Sequence, residues 1–497
     1  MEVLLITYYY PYNYGDCFFI KQEAPFLSEA FDKVHVLCIA GDISLHEKID
    51  MPSNFVLISR HIFSYPFKKN GCIKDVFLNS DNILSYSIIN LQSYTSSSEL
   101  PSNIKRTFLQ KVKRRLDINY WTQKIWKKLN LYYFLLKIYN LNNCISLYFY
   151  LFIFSLKDYF VLHKEISILH KYKKYSFNTL EKAKYFLHYS KQIAFFLNQY
   201  ISKNKEIKLL YSYWFDFGAM ASIIIKKYFN KNIKCVTRTH GGDSYEHEQK
   251  DNYQPYKKWM DKYIDRVFFA SKALYDYYIR KFAGTHKNKY VLSKLGTENP
   301  YILKDTENSV SENKCINIVS CAFIEQRKRI NLIILALSKI TDISIKWVHI
   351  GDGIDKNEIE NMAKNLLENK ENITYNFMGH LDNNSVKKYY YDNYFDCFLS
   401  TTESEGGNPV SMMEALSFGI PVIASNVGGV PELVNNETGI LLDPDNCVEE
   451  LINALHKFAL MTNSEKETLR KSCRKYWEAN YRAGTQYTQF VKYLKEL

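Results

Sequence analysis

The second half of this 497-residue chain alternates short apolar runs with stretches that have helical spacing. The apolar runs are predicted strands, at Ile316–Ser320, Lys346–Ile350, Ile373–Phe377, Cys397–Ser400, Ile420–Ala424 and Gly439–Leu442. Such alternation predicts β-α-β units, and therefore a parallel sheet with helices on both faces. A doubly wound sheet of this kind binds ligands at the carboxyl ends of its strands.

The first half follows the same rhythm, with one long interruption. Its predicted strands lie at Val3–Thr7, Val34–Ala40, Phe55–Ile58, Ile207–Tyr211, Ile233–Thr237, Val267–Ala270 and Tyr290–Leu292. Residues from about 80 to 200 are rich in Lys, Tyr, Phe and Leu, which predicts a helical, aromatic and basic insertion. The polar stretch Thr297–Lys314 is a predicted linker. We therefore expect two doubly wound α/β domains.

The segment that follows Cys397–Ser400 predicts a helix with clear boundaries. Asn408 is a predicted N-cap, and Pro409 fits the first turn because that position needs no N–H. Apolar residues from Val410 onward form one side of the helix, and Gly419 is expected to end it. The next predicted strand begins immediately afterwards.

Two carboxylates and a glycine pair surround the start of this helix. Gly406 and Gly407 precede the N-terminus, where free N–H groups and the helix dipole favour an anion. Glu405 lies on the loop, and Glu414 lies on the second turn. An anion site flanked by two acids fits a ligand with a diphosphate at one end and hydroxyls at the other, as in a nucleotide sugar.

This segment resembles the signature of retaining glycosyltransferases of family 4, whose two-domain fold is called GT-B. In that family two glutamates bracket seven residues; the first lies by the transferred sugar and the second holds the ribose hydroxyls. Here eight residues separate Glu405 from Glu414, and we expect the glycine loop to contain the additional one. Glu403 is the alternative for the first role.

The resemblance implies a GT-B arrangement of two facing Rossmann-like domains. It assigns residues 1–305 to an acceptor domain containing the insertion and residues 306–474 to a nucleotide-sugar domain. Residues 475–497 would form a helix that crosses back to the first domain.

A second motif, TRTHGGD, follows a predicted strand of the first domain. A histidine at the carboxyl end of a strand is exposed to a ligand. By resemblance, His240 contacts the transferred sugar near its reacting carbon. Asp243 is expected either to orient the loop or to bind the acceptor.

The segment SCAFIEQRKR follows the first strand of the second domain and supplies predicted phosphate ligands. Lys328 matches a lysine that neutralises the diphosphate in the family. The usual arginine five residues earlier is replaced by Phe323. Arg327 or Arg329 could provide the second charge, and we prefer Arg329.

Several shorter matches complete the predicted donor site. Gly15, in YYPYNYGD, either approaches a ligand or forms a tight strand–helix turn. The glycines of NVGGVPE are expected to be turns that shape the pocket. The full set of predicted donor-binding residues is Gly15, Arg329, Gly353, Gly379, His380, Leu381, Gly406, Gly407, Asn408, Pro409, Val410 and Glu414.

The resemblance implies a retaining, hexosyltransferase-like enzyme whose catalytic residues are His240, Glu405 and Lys328. Its substrate would be a nucleotide-diphosphate sugar, and no metal or other cofactor is expected. Two alternatives remain open. The first is a GT-B-like partner subunit without catalysis, which the altered glutamate spacing and the missing arginine favour. The second is a sugar-nucleotide epimerase or phosphorylase of similar architecture.

The net charge of +13 is concentrated in one part of the chain. Lys105–Lys128 contains nine basic residues and a single acid, and Ile138–Leu156 contains nineteen residues without a charge. We expect shallow insertion into an anionic membrane surface beside a lipid-linked or oligosaccharide acceptor. A buried core helix and a membrane span are the alternatives for the uncharged segment, and a solvated helix face is the alternative for the basic one. No nucleic-acid-binding motif accompanies the charge.

Cysteine spacing and the N-terminal residues favour a cytoplasmic protein. The ten cysteines show no CxxC pair and no metal-ligand spacing, which predicts reduced thiols. The first residues resemble a core strand and lack the basic region of a signal peptide. We therefore expect a cytoplasmic protein, peripheral on the inner face of the cell membrane.

Overall fold

Two parallel β-sheets form the framework, as predicted. The computed structural model describes residues 1–40, 46–59, 160–284, 287–303 and 315–497. Both sheets belong to one compact unit. The predicted insertion and the end of the predicted linker lie largely outside the described residues, although residues 160–203 are mostly helical.

The first sheet contains seven strands in the order β3-β2-β1-β4-β5-β6-β7. All neighbouring pairs are parallel. The chain order reverses between β1 and β4, so a ligand crevice is expected at their carboxyl ends. The strands are β1 (Glu2–Thr7), β2 (Lys33–Cys38), β3 (Phe55–Ser59), β4 (Ile207–Ser212), β5 (Lys234–Thr239), β6 (Arg266–Phe269) and β7 (Tyr290–Leu292).

The second sheet repeats this arrangement with six parallel strands in the order β10-β9-β8-β11-β12-β13. Its order reverses between β8 and β11. The strands are β8 (Cys315–Cys321), β9 (Ser344–Ile350), β10 (Ile373–Phe377), β11 (Cys397–Ser400), β12 (Val422–Ser425) and β13 (Gly439–Leu442). The two-sheet architecture confirms the predicted α/β fold of two doubly wound domains.

Helices connect most strands, because parallel neighbours require a crossover. In the first domain they are α1 (Cys17–Ala30), α2 (160–171), α3 (Phe177–Lys203), α4 (Phe217–Tyr228), α5 (Lys257–Tyr263) and α6 (Lys272–Lys281). In the second they are α7 (Ile330–Lys339), α8 (Lys356–Leu367), α9 (Asn383–Asp392), α10 (Val410–Ser417) and α11 (Cys447–Leu460). The chain continues through α12 (Asn463–Asn480) and α13 (Ala483–Lys495).

The end of the chain returns to the first domain. Phe490 and Leu494 of α13 are buried in the same core cluster as Val3 and Val36 of the first sheet. The sequence predicts one helix over residues 475–497, whereas the structure has two helices that meet near Tyr481. Tyr481 is buried, and its hydroxyl donates a hydrogen bond to the carbonyl of Glu432 (2.7 Å), so a tertiary contact fixes the break.

Candidate active site

The two domains touch through a pair of glycines. Gly241 follows β5 and Gly406 follows β11. A Cβ atom on Gly241 would lie 2.2 Å from the Cα of Gly406, and one on Gly406 would lie 2.4 Å from the carbonyl oxygen of His240. Ser271, at the start of α6, donates a hydrogen bond to the Gly406 carbonyl (3.1 Å). Because a side chain on either glycine would separate these backbones, the pair brings the predicted site segments together.

An ion pair spans the switch point of the second sheet. Lys328 ends a short 3₁₀ turn after β8, and Glu405 lies on the loop after β11. The Lys328 Nζ atom is paired with Glu405 Oε1, and the two side chains are 16% and 13% exposed. A carboxylate thus orients the predicted phosphate-binding cation before any ligand arrives.

The imidazole of His240 is enclosed by aromatic rings. Its centroid lies 4.6 Å from that of Tyr213 and 4.7 Å from that of Trp214. Nε2 lies 3.2 Å from the carbonyl oxygen of Tyr213. A carbonyl only accepts, so Nε2 carries the proton and Nδ1 of the neutral ring is an acceptor. Burial lowers the pKa of His240 to about 4, although Asp243 acts in the opposite direction.

Asp243 organises the His240 loop. One carboxylate oxygen accepts hydrogen bonds from the Thr239 hydroxyl (2.7 Å) and from the backbone N–H groups of His240 (3.0 Å) and Gly241 (3.2 Å). The other oxygen accepts from the N–H of Phe215 (2.7 Å). The side chain is therefore engaged with the protein, which favours the loop-orienting alternative for Asp243.

The His240 environment predicts a pH effect on stability. A histidine has a pKa of about 6.5 when unfolded, so between about pH 6.5 and 4 the unfolded chain binds more protons at this residue. Stability contributed by neutral His240 should consequently fall as the pH falls through this range. We expect the free energy of unfolding, measured in urea, to fall less between pH 7.5 and pH 5 in His240→Asn than in the wild type.

His456→Asn is the control with the opposite sign. Hydrogen bonding to Asp342 raises the pKa of His456, so its contribution is fully present below about pH 6.5 and is lost at higher pH. Compared with the wild type, His456→Asn should therefore be destabilised more at pH 5 than at pH 7.5. Identical pH dependence in the wild type and His240→Asn would contradict a buried neutral His240.

Glu414 is buried on α10, with 4% of its surface exposed. The Asn383 side-chain amide donates a hydrogen bond to its Oε1 (2.6 Å). Burial raises the pKa of Glu414, while this hydrogen bond and the nearby Lys387 act in the opposite direction. Asn383 and Lys387 lie one turn apart on α9, and the sequence reasoning missed both because their proximity to Glu414 depends on tertiary packing.

The prediction that Asn408 caps α10 is wrong. The N-cap is Pro409, and Met413 donates the first helical hydrogen bond to its carbonyl (3.1 Å). The Asn408 side-chain amide instead donates to the carbonyl of Gly429 (3.0 Å). A contact with the following loop therefore replaces the local cap, and Val410 becomes the first helical residue.

The second glycine pair, Gly428 and Gly429, packs against the backbone of the loop that carries Glu405. A Cβ atom on Gly428 would lie 1.6 Å from the carbonyl oxygen of Glu405. One on Gly429 would lie 2.5 Å from the carbonyl oxygen of Gly407. These glycines allow close backbone approach, as expected for turns, and their role in shaping the donor pocket stays a prediction.

The two arginines near Lys328 have different environments. Arg329 donates hydrogen bonds to the carbonyls of Thr401 (2.7 Å) and Thr402 (3.3 Å). Arg327 donates to the carbonyl of Ser404 (3.1 Å), directly beside Glu405. Arg327 also pairs with Glu325 (2.9 Å). The carbonyl contacts of Arg329 do not favour our choice of it as the second phosphate ligand.

Close packing requires glycine at two of the predicted donor-site positions. Gly15 has a φ of +54°, and a Cβ atom there would lie 2.6 Å from the ring of Tyr9. A Cβ atom on Gly353 would lie 2.1 Å from the carbonyl oxygen of Ile324. The tight-turn alternative for Gly15 fits this geometry, and ligand binding by Gly353 stays a prediction.

The loop after β10 contains three of the predicted donor-binding residues, Gly379, His380 and Leu381. Gly379 has a φ of +71°, and the space where its Cβ would lie is open. Its carbonyl accepts a hydrogen bond from Gly351 (2.9 Å), which joins the loops after β9 and β10. His380 is exposed and Leu381 is half-buried. Donor binding by His380 and Leu381 remains a prediction.

Glu248 is a site candidate that the sequence reasoning missed. It follows the His240 loop, and its Oε2 lies 3.8 Å from the position of a Cβ atom on Gly242. Burial raises the pKa of Glu248; the positive charge of Arg327 lowers it and the negative charge of Glu405 raises it. No motif spacing marks this carboxylate, because only the fold brings it near the second domain.

Within the described ranges, no group of three or more His, Cys, Asp or Glu residues is arranged to hold a metal ion. No helix in that same part of the chain is long and apolar enough to cross a membrane.

The C-terminal part of the chain matches a known family. Residues 304–478 match the model described as Glycosyl transferases group 1. The whole chain also superimposes on a sucrose-phosphate synthase from Thermosynechococcus elongatus, with a TM-score of 0.61 and 14% identity over 100% of this chain and 98% of that one. At this identity the likeness establishes the fold alone, which is GT-B.

Two curated relatives are similar in sequence. An uncharacterized 41.2 kDa protein in the cps region of Klebsiella pneumoniae is 27% identical over 258 residues, which are 48% of this chain and 66% of that protein. The N-acetyl-alpha-D-glucosaminyl L-malate synthase of Bacillus anthracis is 24% identical over 250 residues, which are 49% of this chain and 63% of the synthase. Each alignment therefore covers less than two thirds of the relative.

Proposed function

We propose that this protein is a retaining glycosyltransferase of family 4 that acts in surface polysaccharide biosynthesis. It moves a sugar from a nucleotide-diphosphate sugar to a glycan acceptor, which we infer to be lipid-linked. The group 1 family match and the relative from a cps region support the general class. The retaining outcome, the acceptor and independence from metal are inferred from the motif resemblance.

The observation that carries the proposal is the Lys328–Glu405 pair beside the domain contact. Lys328 and Glu405 come from opposite sides of the switch point, and Gly406 touches the His240 loop. Glu414 lies in a buried position on the second turn of α10. The ion pair joins segments distant in sequence, and the domain contact brings the backbone of the His240 loop beside the Glu405 loop.

These groups have distinct roles in the proposed transfer. As the bond between the sugar and the β-phosphate stretches, negative charge develops on the diphosphate, and Lys328 stabilises it together with the N-terminus of α10. Glu405 holds the sugar and stabilises its positive character. The acceptor hydroxyl forms the new bond on the face that the diphosphate leaves and transfers its proton to the departing diphosphate oxygen. Nδ1 of His240 is free to accept a hydrogen bond from a sugar hydroxyl, and Glu414 holds the ribose.

Purified full-length protein should be assayed for nucleotide release against a panel of sugar donors, with and without oligosaccharide or lipid-linked acceptors. Acceptor-dependent release with the anomeric configuration retained in the product is the expected result. Conversion of the sugar nucleotide without acceptor would identify an epimerase. Donor binding without turnover for any acceptor would favour the non-catalytic subunit.

The two glutamates should have separable kinetic effects. Glu414→Ala is expected mainly to raise KM for the donor, because the ribose contact is the same in the ground and transition states. Glu405→Ala should mainly lower kcat, because its sugar contact strengthens as the bond breaks. Steady-state kinetics on both variants tests this. An inactive Glu403→Ala beside a normal Glu405→Ala would reverse the assignment.

We further propose that the enzyme is peripheral on the inner face of the cell membrane. The sequence supports this through Lys105–Lys128 and Ile138–Leu156, which lie outside the described residues. Co-sedimentation should show binding to anionic vesicles that weakens at high salt through screening. Neutralising Lys111, Lys113, Arg114 and Arg115 should reduce binding. Absence of binding at low salt, or full binding by the neutralised variant, would contradict the proposal.

A further inference from the structure

A cavity lies in the first domain beside the loop that carries His240. It has a volume of about 270 Å³ and is lined by residues of α2, α5, α6 and the segment 246–254. The Gln254 amide, which lines it, donates a hydrogen bond to the carbonyl of Gly242 (2.9 Å). The cavity therefore shares a wall with the His240 loop, but it contains none of the predicted donor ligands.

The walls of the cavity carry more positive than negative charge. Five basic residues and two acidic residues line it: Lys174, Lys257, Lys258, Arg280, Lys281, Glu165 and Glu246. Cations held this close repel one another, and the repulsion is relieved when an anion enters.

Both acids of the cavity are already engaged with the protein. Glu246 pairs with Lys174 (2.6 Å) and Lys281 (3.0 Å). Glu165 is buried and accepts a hydrogen bond from the Tyr253 hydroxyl (2.6 Å), and burial raises its pKa. Their contacts leave three basic residues without a carboxylate partner in the cavity.

Those three cations are Lys257, Lys258 and Arg280. Lys257 is buried, and its ammonium donates to the carbonyl of Phe215. Lys258 donates to the Tyr172 hydroxyl (2.7 Å) and lies 4.5 Å from the centre of that ring. Among the described residues, Arg280 forms no hydrogen bond or ion pair. Arg280 and Lys258 therefore have donors available for a ligand.

The remaining lining is apolar, with Ile168 and Leu169 on α2 and Phe282 after α6. A carboxylate would bring one charge to this site, whereas a phosphate monoester brings nearly two and presents three acceptor oxygens. We propose that the cavity binds a phosphate-bearing ligand through Lys258 and Arg280. This site is independent of the proposed transfer reaction, since it contains none of the residues assigned to that reaction.

Calorimetric titration of the full-length protein tests the proposal with two probes, inorganic phosphate and octyl phosphate below its micelle concentration. The double variant Lys258→Ala/Arg280→Ala should bind the probes at least about tenfold more weakly than the wild type, since two charge-assisted hydrogen bonds are removed. Octyl phosphate binding about tenfold tighter than phosphate would identify an amphiphile headgroup as the source; equal affinity would identify a free phosphate.

The matched control is Lys262→Ala/Lys272→Ala. These lysines are exposed, lie on the same two helices α5 and α6, and do not line the cavity. The control loses the same charge and should bind both probes like the wild type. Three outcomes would overturn the proposal: no binding of either probe, equal binding by the cavity variant, or an equal loss in the control. Binding of neutral octyl glucoside as tight as that of octyl phosphate would overturn it as well.

Discussion

Replacing Lys328 with alanine is expected to lower kcat for sugar transfer by at least about two orders of magnitude. The ammonium is held by Glu405 at the carboxyl edge of the second sheet, where charge would develop on the departing diphosphate. Its removal deletes a preorganised positive charge and leaves Glu405 unpaired. Single-turnover measurements at saturating donor would isolate the chemical step from binding.

Lys339→Ala is a suitable control for this variant. Lys339 lies on α7, close to Lys328 in sequence, but it is 53% exposed and pairs with Glu449. It should retain wild-type kcat. The same assay in excess chelator should also retain activity, because the proposed mechanism assigns the phosphate charge to protein groups. Loss of activity in chelator, restored by magnesium or manganese, would contradict this mechanism.

Glu23→Gln is expected to reduce the free energy of unfolding by about 3–5 kcal/mol. Glu23 on α1 and Arg238 on β5 form a fully buried ion pair (2.6 Å). The guanidinium carbon also lies 4.0 Å from the ring centre of Phe490 on α13. The substitution preserves side-chain volume but leaves the arginine charge buried without its partner. Urea denaturation would measure the change.

The double variant Glu23→Leu/Arg238→Met separates charge from packing. Replacing a buried pair by apolar side chains is often neutral, so this variant should recover most of the lost stability. Glu449→Gln, which breaks the exposed pair with Lys339, should change stability by less than about 1 kcal/mol. A wild-type unfolding midpoint for Glu23→Gln would contradict the account of the buried pair.

The sheets were predictable because their signal is local. A buried parallel strand such as Cys397–Ser400 is recognisable from a few consecutive residues, and its boundaries agree with the structure. The Glu405–Glu414 segment was predictable for the same reason. Helix α10 begins and ends close to the predicted positions, with Gly419 at a φ of +67° after its end.

The features that the sequence did not predict depend on contacts between residues that are far apart in the sequence. Asn408 has a side chain that is typical of an N-cap, yet its amide donates a hydrogen bond to the carbonyl of Gly429. No local sequence pattern predicts this contact. Glu248 has no distinguishing neighbours in the sequence, and it becomes a candidate only because it lies near Arg327. Which cation accompanies Lys328 was likewise undecidable from spacing, because the carbonyls that Arg327 and Arg329 contact lie on the loop after β11, far away in the sequence.

The return of α13 to the first domain has a consequence for biosynthesis. On the ribosome, β7 is complete at Leu292, but Phe490 and Leu494 must still be added before the core of the first sheet can close. At about 5–20 residues per second, this leaves an interval of roughly 10–40 s. Meanwhile the second domain, whose own core cluster spans residues from Ile316 to Phe458, can fold first. The core of the first domain is therefore completed only by the last residues of the chain, although its strands are synthesised first.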